Sequence, residues 1–311
     1  MKVNRRTFFG NTLAAALSVP TVLSTDAQSQ LSVRREGYQD YPDIIDTNIN
    51  LFEWPFRRLK FAGTNALVEK LQRHHIIQAW AGSFEALFHK DINGVNYRLA
   101  EACRVDGKGM LLPFGTVNLA WPDWEEDLRR CHEDYRMPGI RLYPGYQPFD
   151  LHHEAFLPLV QQATERGLII QIVGDMEDVR THHPTVHVSD VDFDLLADIL
   201  KKVPVARVQL LYWNHKVEGK KLDKLITETN VLLDISRVES TGGVGRLIEG
   251  KPWQGFGSAK AVPVERLLFG SHAPYFPMES SLLKLFESPL SIKQTKAIMI
   301  DNADRFLKAL P

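Results

Sequence analysis

The chain has 311 residues, long for one ordinary domain and normal for one α/β barrel. Its hydrophobic fraction of 44% is enough for a sizeable core, and a formal charge of −1 gives no ground for nucleic acid or an anionic membrane surface as partner. The two cysteines, Cys103 and Cys131, stand in helical patterns and read as free buried thiols, with a disulfide between neighbouring helices as the alternative in an oxidising compartment; no CxxC or zinc-finger spacing occurs.

Residues 1–30 carry a basic start, an apolar run from Leu13 to Leu23, and then small and polar residues. That three-part layout is an export signal, too short to span a bilayer stably. Arg5-Arg6-Thr7-Phe8-Phe9 resembles a twin-arginine signal and implies a periplasmic or otherwise extracytoplasmic protein; an ordinary signal carrying two arginines and an uncleaved anchor are the alternatives. Residues 31–42 read as a linker, and no later apolar stretch is long enough to cross a membrane.

From residue 43 to 311 the pattern is that of a single (β/α)8 barrel. Eight short runs rich in Ile, Val and Leu fall at 43–52, 76–82, 110–118, 139–145, 168–174, 207–213, 231–237 and 266–272. Such runs suit strands buried on both faces. Amphipathic stretches between them, at 65–75, 96–105, 125–135, 154–167, 192–203 and 221–228, read as helices, and 291–310 as a closing helix. An open doubly wound sheet is the alternative, but no GxGxxG follows the first strand, so no dinucleotide site is expected.

Barrel chemistry sits at the C-terminal ends of the strands. The first run ends Asp46-Thr47-Asn48-Ile49-Asn50, and strict alternation would put Asp46, Asn48 and Asn50 on one face. The other ends supply Trp54, Arg57, Trp80, Arg141, Tyr143, Trp213, Arg237 and His272, while the fifth opens into a loop holding Arg180, His182, His183 and His187.

With these motifs the chain resembles the amidohydrolase-related superfamily, in the branch of aminocarboxymuconate-semialdehyde decarboxylase and pyrone-dicarboxylate lactonase. The resemblance covers about residues 43–308, with its motifs half kept. Where the branch has Asp-x-His-x-His, Asn48 and Asn50 replace the histidines; Val173 falls where a ligand histidine ends the fifth strand; Tyr212-Trp213-Asn214-His215 stands where His-x-Gly-Gly is usual; and Gly270-Ser271-His272-Ala273-Pro274 keeps the Gly-Ser and Pro frame while losing its acid. Trp54-Pro55-Phe56-Arg57 and the segment from Glu177 to Pro184 resemble a divergent subgroup of the branch.

The resemblance implies an exported hydrolase acting on a small cyclic ester or carboxylated substrate. Zinc needs imidazoles and a carboxylate, and amide oxygens are poor ligands for it, so neither a metal at the usual place nor another cofactor is expected; His182, His183 and His187 in one loop, with His272 across the mouth, leave a metal held elsewhere as an open alternative. The lactonase relative works without a metal, which leaves His272 as acid/base, Asn48 and Asn50 as carbonyl-polarising donors, and Arg141 with Arg57 as a carboxylate clamp. Trp54, Trp80, Tyr143, Arg180, His183 and Trp213 complete the expected substrate contacts. Two alternatives remain open: a catalytically inactive barrel serving as a binding module, and a decarboxylase-type lyase. The expected partner is a small molecule, with self-association left open. N-terminal sequencing of the mature protein is expected to begin near Ala27, and a chain beginning at Met1 would overturn the export expectation.

Overall fold

Eight parallel strands alternate with helices in a computed structural model that describes residues 42–251 and 260–309. The strands are β1 (Ile44–Leu51), β2 (Ile76–Ser83), β3 (Leu111–Gly115), β4 (Gly139–Leu142), β5 (Ile169–Val173), β6 (Arg207–Leu211), β7 (Leu232–Asp234) and β8 (Leu267–Leu268). They pair in sequence order, and hydrogen bonds from Thr47 N–H to Phe269 C=O, His272 N–H to Asn48 C=O and Asn50 N–H to Ala273 C=O, at 2.8–2.9 Å, join the first strand to the segment after the last. The fold is a (β/α)8 barrel, as the alternating pattern implies.

The outer layer is α1 (Thr64–Gln72), α2 (Ile92–Val105), α3 (Trp124–Glu133), α4 (Phe156–Glu165), α5 (Leu196–Lys202) and α6 (Lys220–Glu228). Then come α7 (Gly243–Glu249), α8 (Glu279–Phe286), α9 (Ile292–Lys296) and α10 (Asn302–Lys308). Each long helix turns one apolar stripe inward; α1 buries Leu67, Val68 and Leu71, and α6 buries Leu222, Leu225 and Ile226. The sequence pattern omits α7 and α8, which are short, and treats α9 and α10 as one helix. A π-helical turn, Ala297–Asp301, separates those two. There the Ile298 carbonyl accepts the Phe269 N–H, and the Asn302 amide bonds the carbonyls of Val264 and Leu267, so the helix loosens where it docks on β8. Cys103 and Cys131 are free and buried. Among the described residues no helix is long and apolar enough to cross a membrane; residues 1–30, where an export signal is expected, and most of the expected linker lie outside them.

Inside the barrel, side chains stack in three tiers. The lowest joins Ile45, Trp80, Phe114, Ile169, Leu232 and Leu268 to Ala303 and Phe306 of α10. Arg207 of β6 holds that helix in place by donating to the carbonyls of Phe306 and Ala309. The middle tier is polar. Arg141 Nε donates to Gln171 Oε1, Gln171 Nε2 to Gln209 Oε1 and the Thr47 carbonyl, and Gln209 Nε2 to Thr47 Oγ1, all within 2.7–2.8 Å. The upper tier is Asn48, Asn50, Tyr143, Tyr212, Asp234 and His272, each fully enclosed or within 1% of it.

One irregularity sets this stacking. Asp46 pairs with Ala79 but Ile49 with Ala81, so β1 holds one residue more than β2 across that interval. This β-bulge switches parity. Ile44 and Ile49, five positions apart, both pack in the outer core, whereas Thr47 and Asn48, direct neighbours, both join the interior network. Asp46 therefore does not share the face of the two asparagines, as strict alternation expects. Its Oδ1 instead accepts the N–H groups of Asn48 and Ser271, clamping β1 to the end of β8.

The middle and upper tiers need a glycine at 82. A Cβ there would stand 2.5 Å from Arg141 Nη1 and 2.7 Å from the Tyr143 hydroxyl. Gly82→Ala is expected to cost about 1–3 kcal/mol as an overpacked core, read as a lower midpoint in denaturant with the slope unchanged.

Candidate binding site at the barrel mouth

The strand ends assemble a single hydrogen-bonded chain. Arg141 Nη1 donates to Asn50 Oδ1 at 3.0 Å, Asn50 Nδ2 to the Tyr212 hydroxyl at 3.1 Å, that hydroxyl to Asn48 Oδ1 at 2.6 Å, and Asn48 Nδ2 to Asp234 Oδ2 at 2.8 Å. Both amides are oriented so that every donor meets an acceptor. The chain has one polarity, running from a buried cation to a buried anion. Arg141 makes no ion pair among the described residues; its other acceptors are Gln171 Oε1 and the carbonyls of Ile49 and Trp80. Burial pushes the Asp234 carboxyl above its ordinary range, opposed by hydrogen bonds from Ser236, Asn48 and the Tyr212 N–H. Burial also raises Asp46, to about 7.

His272 closes the assembly. Its Nε2 lies 2.9 Å from the Met176 carbonyl, which can only accept, so the neutral ring carries its proton there and offers the Nδ1 lone pair. The phenol of Tyr212 has one proton and two acceptors facing it, Asn48 Oδ1 and this Nδ1, each at 2.6 Å, and Asn50 Nδ2 lies 3.4 Å from Nδ1. Burial holds the imidazole well below its ordinary value and hence neutral, against a raising contribution from the Met176 carbonyl. Tyr212 and His272 both adopt the left-handed backbone region, at φ 51° and 60°. For such side chains this costs about 1–2 kcal/mol per residue. Their rings meet at 4.1 Å, and Tyr275 stacks on the other side of His272 at 4.8 Å.

Of the residues expected from sequence, Asn48, Asn50, Arg141, Tyr143 and His272 therefore come together, but as an enclosed plug whose polar atoms are taken by the protein. Trp54 is buried edge-on against Tyr275 and Phe84, and Arg57 lies over the Tyr275 ring at 4.5 Å, so both belong to the cover of the plug. Four expected contacts are not part of it. Trp80 points to the barrel bottom and stacks on Phe114. Trp213 packs in the outer core and donates its indole N–H to the Asp234 carbonyl. Arg180 is exposed and grips Asp178, and His183 is exposed and stacked on Phe56.

Directly above the plug is a second polar group, which lies outside the expected set. Glu177, 3% exposed, accepts the Tyr275 hydroxyl on Oε2 at 2.8 Å, while its Oε1 has no partner. His182 Nε2 is 3.9 Å from that oxygen, and it too is buried without a hydrogen bond. The Tyr146 hydroxyl and Arg237 Nε are likewise buried and unpartnered. Burial raises Tyr146, with Glu177, Asp175 and Tyr275 raising it further and Arg237 opposing. Burial raises Glu177, with Asp175 raising it further and Tyr275, His182 and Arg57 opposing. Buried polar atoms nearly always have partners, so these four, in the loops after the strands, call for a partner from outside the chain, either ordered water or a polar ligand. Sequence signals them weakly: Glu177, His182 and Arg237 follow β5 and β7, and Tyr146 stands three residues into a loop.

No family model and no curated protein matches the chain. Among solved structures it is similar to dihydroxybenzoic acid decarboxylase from Polaromonas sp., with bound manganese and the inhibitor 2-nitroresorcinol (TM-score 0.64, 13% identity, 86% of this chain and 97% of that one). It is also similar to 5-carboxyvanillate decarboxylase from Novosphingobium aromaticivorans, with bound manganese (TM-score 0.60, 14% identity, 88% and 99%). A third is 2,6-dihydroxybenzoate decarboxylase from Rhizobium (TM-score 0.60, 14% identity, 85% and 99%). At these identities the likeness is one of fold. The donor set here does not fit a divalent cation: Asn48 turns its amide nitrogen to Asp234, both His272 nitrogens are engaged, and among the described residues no three His, Cys, Asp or Glu side chains converge as a metal site requires.

Removing the phenol at the centre of the plug tests its structural role. Tyr212→Phe leaves Asn48 Oδ1 buried and unpaired, at about 1–3 kcal/mol for such a group, and is expected to lower stability by that order in equilibrium unfolding. A change below about 0.5 kcal/mol would show that the network does not hold the mouth together.

Proposed function

We propose that this chain is a divergent relative of the amidohydrolase-related branch that has replaced a metal centre with a hydrogen-bonded plug, and that it recognises a small carboxylated ring compound in the cluster of Glu177, Tyr146, His182 and Arg237. The observation that supports this most is the contrast between the two layers. The strand-end groups are saturated by each other, whereas the four groups above them are buried with capacity unused. Arg237 Nε and the Tyr146 hydroxyl supply donors suited to a carboxylate, and the rings of Trp54 and Tyr275 supply apolar wall beside them. The decarboxylases of similar fold act on carboxylated aromatic acids, which agrees in substrate class.

A second reading is turnover. Glu177 has a raised carboxyl beside an imidazole, a pairing suited to acid/base work, and it is better placed for this than His272, which is sealed beneath Tyr275. Loss of carbon dioxide or opening of a lactone are the reactions in view, and neither calls on a metal in this donor set. We also infer from residues 1–30 that the protein acts outside the cytoplasm.

Purified protein should be titrated with 2,6-dihydroxybenzoate, 5-carboxyvanillate and small lactone carboxylates, and the products followed by mass spectrometry. Saturable binding that persists in excess chelator, and is weakened at least tenfold in Arg237→Met, is expected. Release of carbon dioxide or of a ring-opened acid would establish turnover. Absence of binding by all of these compounds, or binding abolished by chelator, would overturn the assignment.

A further inference from the structure

The upper cluster has a charge problem whose resolution says how it holds its ligand. Three of its unpartnered groups are suited to an anion: Arg237 Nε donates, the Tyr146 phenol stays protonated because burial raises it, and His182 Nε2 is able to donate. The fourth is the Glu177 carboxyl, whose unpartnered Oε1 lies 3.9 Å from His182 Nε2. A ligand carboxylate accepting from His182 Nε2 there would meet a second, buried carboxylate. Two such groups in contact do not both stay ionised.

We propose that the cluster binds its carboxylate ligand with uptake of one proton, shared between that carboxylate and Glu177 Oε1. This rests on the reading that the cluster is the ligand site and adds the form in which the ligand is held. The balance is simple: ionised Glu177, an ionised ligand and one solvent proton give a complex in which the acid O–H donates to the ligand oxygen, so all four groups then act as donors. The surroundings favour this. Tyr275 already donates to Oε2, leaving Oε1 as the atom to be protonated. Of the charged and titratable groups around Glu177, Asp175 on its own segment favours the proton, while His182 on that segment, Arg57 after β1 and Tyr275 after β8 oppose it. Arg237 after β7 lies against Asp175, with Nη1 on its carbonyl at 2.7 Å and 3.6 Å from its carboxylate.

The sign of the pH dependence follows. Above the folded-state value of Glu177 each bound ligand must draw a proton from solution, so affinity falls as pH rises, approaching tenfold per unit; below that value the proton is already in place and affinity levels off. The test is calorimetry of benzoate binding to the intact protein between about pH 6 and 8.5, in two buffers of different ionisation enthalpy. Close to one proton taken up per benzoate at the upper end is expected, with Kd rising over the same range. In Glu177→Gln the amide N–H takes the place of the acid O–H, so benzoate should still bind, with no proton uptake and a flat Kd. Binding by the wild type without proton uptake would overturn the proposal and leave the ligand site standing. Uptake that persists in Glu177→Gln would also overturn it, by placing the proton elsewhere. Failure of benzoate to bind the wild type at any pH would overturn the proposal, and failure of the hydroxylated acids and lactone carboxylates as well would overturn the ligand site.

Discussion

The structure depends on a separated ion pair. Arg141 and Asp234 are both taken out of water inside the barrel, and they do not touch. Two amides and a phenol stand between them, each accepting on the side of the cation and donating on the side of the anion. An isolated buried charge is among the most costly features a fold can contain. Here the cost is spread along a chain in which every member is polarised in the same sense, and a hydrogen bond to a charged group is stronger than one between neutral groups. Asparagine suits positions 48 and 50 for this reason: it is the shortest side chain that both accepts and donates, in fixed directions. Neutral imidazole, with one donor and one acceptor on opposite sides of a ring, would not bridge the same gap.

That constraint explains the backbone around it. Tyr212 and His272 take an uncommon left-handed conformation, and the glycines at 82 and 270 leave room where a Cβ would press on Arg141 or on Asp234. The bulge in β1 brings Thr47 and Asn48 to the interior on successive residues, so that one strand serves two tiers. The plug turns the mouth from an open reaction chamber into a floor, and the groups with unused hydrogen-bonding capacity stand on that floor.

Much of this was legible in the residues. Eight apolar runs mark eight strands in order, because strands covered on both faces carry no competing signal; only the ends are misplaced, every strand but β2 being shorter than its run. The inward direction of Arg141, Asn48, Asn50 and His272 follows from position at strand ends. The bulge was not legible, since parity assumes a regular pleat, and it moves Asp46 from the asparagine face to the backbone of Ser271. Nor were the fates of Trp80 and Trp213, which a ring at a strand end does not distinguish: Trp80 faces inward two residues below Gly82 and so falls in the lower tier, while one residue of phase from Tyr212 sends Trp213 to the outer core. The four groups of the upper cluster come from loops after three different strands. Their meeting is a property of the closed barrel, and no spacing along the chain encodes it.

The barrel bottom has a consequence for how the protein is made. Trp80 and Phe114, from the first half of the chain, pack with Phe306 of α10, and Arg207 caps that helix at Phe306 and Ala309. On a ribosome these early aromatics are synthesised some two hundred residues before the segment that covers them (306 against 80 and 114). Until the last helix emerges, the lower tier stays open to solvent, and loop closure over that length comes late. A truncation of even the last turn or two would therefore act on the earliest strands, and the nascent chain presents an apolar, aromatic surface to chaperones for nearly the whole of its synthesis.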